Sequence, residues 1–402
     1  MIEKESGMSG PCAEPPGAHV AFLSGMPVAV EPQQIERELA ALWKPASDAQ
    51  GGEGAVTRAC LANLVVHAGA DRDLERAERA VAELARRHPN RTVLLIATSG
   101  DPAGALRATV SAACHAPAAG AAPVCCELIR LTAPVERRDL FRGAVAPLLV
   151  ADLPVFLWWM GDPGDPLLIA LAAHADRVLV DSREAPSTRG ALRSMRDLTE
   201  RPEVRDLIDL AWRSLAPWRR ALADAFDEPA ARGLLRRIAR VELAVGGAPP
   251  AGGAFGSAAL LLAGWIVSRL GWTVGEVEAD ARALRIACGR PGPPPAEVAL
   301  IHEPTDGAAP ANGRQEPTAA RFLASSATGA PQVGIEIARE TASTARVVGA
   351  TDPARALSRV VPFRRPGDVE LIGEVLDRPA YTGVFRDALD CALRIAEEMA
   401  AP

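Results

Sequence analysis

The residues that could do chemistry fall into three groups. The first is a set of carboxylates and small residues at the ends of apolar runs. Asp152, Asp162, Asp165 and Asp181 each follow or precede such a run, and the tract Gly161-Asp162-Pro163-Gly164-Asp165 closes the run PVFLWW. In an open α/β sheet, ligands bind beyond the carboxyl ends of the strands. Ser99, Gly100 and Asp162 could therefore share a strand-end crevice. Ser99-Gly100-Asp101, if a helix followed, would form an anion site at its N-terminus. The plainer alternative is a tight turn with helix-capping aspartates. The second group is thiols. Of seven cysteines, Cys125 and Cys126 are adjacent, and Cys114 could partner them across the intervening loop in redox chemistry. Ordinary buried thiols are the alternative, because neighbouring side chains on a strand point to opposite faces. The third group is six scattered histidines, none at i,i+4 with another. His302-Glu303 opens like a zinc motif but continues Pro-Thr-Asp, which cannot form the required helix.

Several chemistries lack their residues. Two lysines stand against 42 arginines (44 basic residues minus 2), and both, Lys4 and Lys44, lie near the N-terminus. A phosphate-loop or Schiff-base lysine has no other source. The turn His67-Ala68-Gly69-Ala70-Asp71 holds one glycine where a dinucleotide fingerprint needs three, and ATSGD around Ser99 is no nucleophile elbow. A net charge of −6 disfavours nucleic acid as a partner. No apolar run is long and uninterrupted enough to span a bilayer, and the first residues lack a secretory pattern, so the expectation is a cytoplasmic protein with no membrane anchor.

The elements that would position these groups alternate. CLANLVVH (60–67), TVLLIAT (92–98), CCELIRLT (125–132), PVFLWW (154–159) and RVLVD (177–181) read as strands. Helical spacing is seen over 71–88, 136–149 and 166–174. Continuous apolar runs suit strands buried on both faces. The reading is an α/β N-terminal domain, a mostly parallel sheet with flanking helices, over 56–185, after a leader (1–55) carrying a short helix. Beyond it, 186–402 reads as an α+β C-terminal domain with a small antiparallel sheet, although the boundary could also fall near 248. There the expected helices are 204–226, kinked or broken at Pro217, then 232–245, 255–270, 368–376 and 381–399. Short strands are expected between 298 and 348, with a Gly/Pro/Asn-rich loop at 303–317.

Six segments in order carry a resemblance: HPNRTVLLI (88–96), VCCELIRL (124–131), VAPLLVADLPVFLWWMGDP (145–163), ADRVLVDS (175–182), DLAWRSLAPWRRALADAFD (209–227) and LLLAGWIVSRLGW (260–272). Together they resemble the glucose-6-phosphate dehydrogenase assembly protein OpcA family. The resemblance implies a non-catalytic partner that assembles or activates glucose-6-phosphate dehydrogenase, and no cofactor of its own. In photosynthetic relatives the family is linked to thiol-based redox control, for which Cys114, Cys125 and Cys126 are the candidates here. A partner surface needs aromatic and arginine anchors, and Trp158, Trp159, Trp212 and Trp218 are the candidates, against burial in the protein's own core. The competing readings are a sugar-phosphate or nucleotide-binding enzyme or sensor at the strand-end crevice, and a scaffold with no ligand.

Overall fold

A computed structural model describes residues 23–24, 27–48, 57–58, 60–69, 71–99, 101–115, 124–227, 229–248, 255–280, 282–290, 295–303, 315–325, 331–349, 357–377 and 383–399. Its first half holds strands β1 (Leu23–Ser24), β2 (Val28–Val30), β3 (Thr57–Arg58), β4 (Ala62–Ala68), β5 (Asn90–Thr98), β6 (Arg107–His115), β7 (Val124–Pro134), β8 (Val155–Met160), β9 (Arg177–Val180) and β10 (Leu207–Asp209). Helices α1 (Ile35–Asp48), α2 (Asp71–Arg87), α3 (Phe141–Val145), α4 (Pro166–Ala172) and α5 (Thr188–Leu198) are interleaved with them.

Six of these strands, in the order β7-β5-β4-β8-β9-β10, are parallel throughout. Counted along the chain this is the doubly wound order 3-2-1-4-5-6, whose direction reverses between β4 and β8. The apolar runs foreseen in the sequence become β4, β5, β8 and β9, and nearly every residue of β5 is buried because helices cover both sheet faces. On one face lie α1, α3, α4 and α5, packed on Val65, Val93, Leu157 and Trp159. On the other lie α2 and a helix from the far end of the chain, packed on Leu64, Leu94, Phe156 and Trp158.

The second half continues with α6 (Leu210–Ser214), α7 (Ala216–Asp227), α8 (Pro229–Arg232), β11 (Ile238–Gly246), α9 (Ser257–Arg269), β12 (Thr273–Ala279), β13 (Ala283–Gly289), β14 (Ala296–His302), β15 (Glu316–Ser325), β16 (Pro331–Arg339), β17 (Thr344–Gly349), β18 (Leu357–Pro362), α10 (Asp368–Asp377) and α11 (Gly383–Glu398). Its eight-stranded sheet runs β12-β13-β14-β11-β15-β16-β17-β18, antiparallel except for the β11–β14 pair. Helices α9 and α11 supply its apolar cover. They touch backbone to backbone: a Cβ on Gly264 would lie 2.3 Å from the Ala388 carbonyl oxygen, so only glycine fits. The opposite sheet face carries charge pairs instead, among them Arg240–Glu297 at 3.2 Å and Arg321–Glu336 at 2.7 Å.

Four expectations change. The small antiparallel sheet is a large one, because 273–289 forms a hairpin that the helical search passed over. The expected helix 232–245 is mostly strand β11, whose Val241, Leu243 and Val245 alternate inward with period two. The segment 204–226 is not one helix: β10 occupies its start, and the helical part divides next to Pro217 into α6 and α7. The first sheet therefore extends past residue 185, because β10 at 207–209 is its outermost parallel strand.

Candidate functional site

The carboxyl ends of the parallel strands form one rim with two distinct parts. The inner part is the reversal point between β4 and β8. His67 and Trp159 are register neighbours there, and their rings stack with centroids 3.8 Å apart and planes within 7°. Both are buried, at 3% and 1% exposure. The Trp159 indole Nε1 donates to the Asp162 carbonyl at 3.0 Å, whereas neither ring nitrogen of His67 has a hydrogen-bond partner. Burial lowers the His67 pKa to about 4, against the opposing pull of the Met160 backbone and Asp165, so the ring is neutral at physiological pH.

The lone glycine of the β4 turn closes this point. A Cβ on Gly69 would lie 3.2 Å from the Met160 carbonyl oxygen and 3.4 Å from His67 Cε1. The close approach that glycine permits is thus used by the protein's own strand ends. The aspartates beyond β8 serve the local turn. Asp162 Oδ1 accepts from Gly164 N at 2.9 Å. Asp165 caps α4 by accepting from Leu167 N at 2.9 Å, with Pro166 at the first helical position, and pairs with Arg138.

The outer part of the rim lies beyond β9 and β10. Asp181 holds Arg183 through two bonds of 2.7 Å, from Nε and from Nη2. Arg183 Nη1 reaches Ser214 Oγ at 3.3 Å and lies 3.9 Å from Glu316 of β15, in the second half. Asp209 ends β10 and caps α6. It accepts from Ala211 N at 2.9 Å, Ser182 N at 3.1 Å and Ser182 Oγ at 2.7 Å. Burial, and then Asp181, raise its pKa to about 6 despite those bonds. Ser257 Oγ donates to the Ser182 carbonyl at 2.8 Å, and Gly256 N donates to Gln315 Oε1 at 2.6 Å, so polar contacts tie the halves together.

The sequence candidates are only partly brought together. Ser99 follows β5 and Asp162 follows β8, with β4 between them, so they stand about 10 Å apart in strand spacings rather than in one pocket. Gly100 lies outside the described residues. No helix follows Ser99: Asp101 closes a turn by accepting from Ala103 N at 3.0 Å, and β6 comes next, so the expected helix N-terminus is not there.

The four tryptophans are internal packing residues, which removes them as exposed anchors. Trp158 lies beneath Arg76 at 5.9 Å. Trp212 lies under Arg219 at 3.7 Å and tilts onto Phe385, and Trp218 meets Phe363 edge-on at 4.7 Å. Cys114 and Cys125 face each other across the β6–β7 pair and are joined in a disulfide. Cys126 points to the other face, with its Sγ 3.4 Å from the Ala85 carbonyl, and burial raises its pKa. His67, Arg183 and Glu316 were not singled out in the sequence. No local pattern marks them, because each acquires its partners from distant segments. Among the described residues no cluster of His, Cys, Asp or Glu could hold a metal, and no helix is long and apolar enough to cross a membrane.

Comparison with known proteins places the chain. Residues 81–197 match the family described as glucose-6-phosphate dehydrogenase subunit N-terminal domain, and residues 205–389 match the corresponding C-terminal domain. The chain belongs to the OpcA family. A relative provisionally named OxPP cycle protein OpcA, from Nostoc punctiforme, is 36% identical over 197 residues, covering 48% of this chain and 40% of that protein. Its counterpart from Synechococcus elongatus is 28% identical over 276 residues, covering 61% of this chain and 60% of that protein. The matches thus span about two fifths to three fifths of those OpcA relatives. Among solved structures, a scyllo-inositol dehydrogenase from Lactobacillus casei aligns at 10% identity with a TM-score of 0.41, covering 84% of this chain and 96% of that one.

Proposed function

We propose that this OpcA-family chain is a non-catalytic partner that binds glucose-6-phosphate dehydrogenase and promotes its active oligomer in the oxidative pentose phosphate pathway. The observation that carries this reading is the pair of family matches, both described as dehydrogenase subunit domains, which follow one another from residue 81 to 389. The geometry of the rim supports it. The reversal point, where a doubly wound sheet would take a dinucleotide, is closed by the His67–Trp159 stack and by Gly69 against its own strand ends.

The deciding experiment is co-purification with glucose-6-phosphate dehydrogenase from the same cells, followed by its kinetics and oligomeric state with and without this protein. A complex with raised activity or a larger oligomer supports the reading. No complex, together with unchanged kinetics, overturns it. Turnover of a sugar phosphate or nucleotide by this chain alone would favour the enzyme reading. The Cys114–Cys125 disulfide makes a thiol effect on activation a second part of the proposal. An activation that is the same before and after reduction, and in a Cys114→Ser variant, removes it.

A further inference from the structure

Between the two halves, next to the outer rim, lies a cavity that the dehydrogenase reading does not use. Ser214, Leu215, Pro217 and Trp218 line it from the first half's last helices, and Glu316, Arg339 and Arg365 line it from the second. It measures about 20 Å³, counted as space for the centres of water molecules. That is room for one tetrahedral oxyanion and too little for a nucleotide. The lining has the character of a small-ligand site: apolar walls with a few convergent polar groups at a domain junction.

The charges in the wall do not balance. Arg339 and Arg365 face one carboxylate, that of Glu316. The neighbouring Arg183 is already matched by Asp181. Arg365 pairs closely with Glu316, whereas Arg339 Nη1 stops 3.8 Å from it, beyond hydrogen-bond range. Arg339 is only 24% exposed, so its guanidinium is largely withdrawn from water without a bonded acceptor in the described residues. The Trp218 indole, 4% exposed, also lines the cavity and makes no hydrogen bond to another described residue. A partly buried cation lacking an acceptor is costly, and a planar guanidinium is shaped to hold an oxyanion through paired bonds.

We propose that this cavity binds a phosphoryl group through Arg339 and Arg365, either as free phosphate or as the terminal group of a small phosphate ester whose remainder leaves through the open side. The bound group would bridge α7 of the first half and the β15–β16 strands of the second. This site stands whether or not the chain binds a dehydrogenase, because it rests on this chain's own residues.

Calorimetric titration of the full chain tests it, with inorganic phosphate in one arm and a hexose 6-phosphate in the other, at constant ionic strength. Saturable binding is expected. Arg339→Gln should weaken it about tenfold or more, the loss of one charge-assisted contact. Arg346→Gln, at an exposed arginine on another part of the second sheet, should leave it unchanged. Tighter binding of the ester than of phosphate makes an ester the occupant, and equal binding makes it the free ion. No saturable binding in either arm, or binding equally strong in a folded Arg339→Gln protein, overturns the proposal.

Discussion

The two parts of the rim close by opposite means. At the reversal point, an aromatic pair and a glycine fill the space, and a buried imidazole is left without a hydrogen-bond partner. At the outer strands, the space is filled by charge: Asp181, Arg183, Asp209 and Glu316 are buried but bonded or paired. Packing closes the first and electrostatics the second. Only the second reaches the other half of the molecule, through Glu316 and Ser257. One frame thus separates a plug from a joint, and the two should fail differently.

Breaking the joint should have the largest effect. Arg183→Met leaves Asp181 unpaired in a buried site and should cost about 3–5 kcal/mol in chemical denaturation. A loss below about 1 kcal/mol would show that water, not arginine, satisfies these carboxylates. Breaking the plug comes next: Trp159→Ala removes a fully buried ring and should cost roughly 3 kcal/mol in the same assay.

Acidification sharpens the contrast, because the two parts respond with opposite sign. The folded His67 has a pKa of about 4 against an ordinary 6.5. Between those values the unfolded chain binds the proton, so stability falls as the pH drops through that window. Asp209 is raised from 3.8 to about 6, so the folded chain binds its proton first. Its contribution is fully present below 3.8 and is lost as the pH rises through 6. In His67→Phe, which keeps a ring in the stack, the acid-side loss should shrink by on the order of 2 kcal/mol between pH 7 and 4. Denaturation midpoints across that range check it, and identical pH profiles for variant and wild type would refute the buried neutral imidazole. At pH 7 the same variant should show the smallest effect, staying within about 1 kcal/mol of wild type on the stabilising side, since two unpaired nitrogens are removed.

How much of this was legible depended on whether a signal is local. TVLLIAT and PVFLWW announced strands buried on both faces, and Pro217 announced a break, because burial and a missing N–H act within a few residues. Strand β11 was mistaken for a helix because a short apolar run suits either period, and only its neighbours β14 and β15 decide the matter. Asp162 and Asp165 were readable as turn and cap residues from their spacing to Gly164 and Leu167. Arg183 meets Glu316 across 133 positions (316 minus 183), and His67 meets Trp159 through strand pairing, so neither contact leaves a trace in either segment alone.

Helix α10 gives the fold an order in time. Leu371, Ile372 and Val375 complete the cover over Leu64, Leu94 and Phe156, Arg76 reaches Asp368 at 2.5 Å, and Arg177 donates to the Val375 carbonyl. The first half of the chain is therefore roofed by a piece made almost last. While the ribosome is still reading the second sheet, one face of the first sheet stands bare. The parallel sheet can set only after synthesis has passed residue 377, so a nascent chain stalled before that point would present an apolar face to chaperones and proteases.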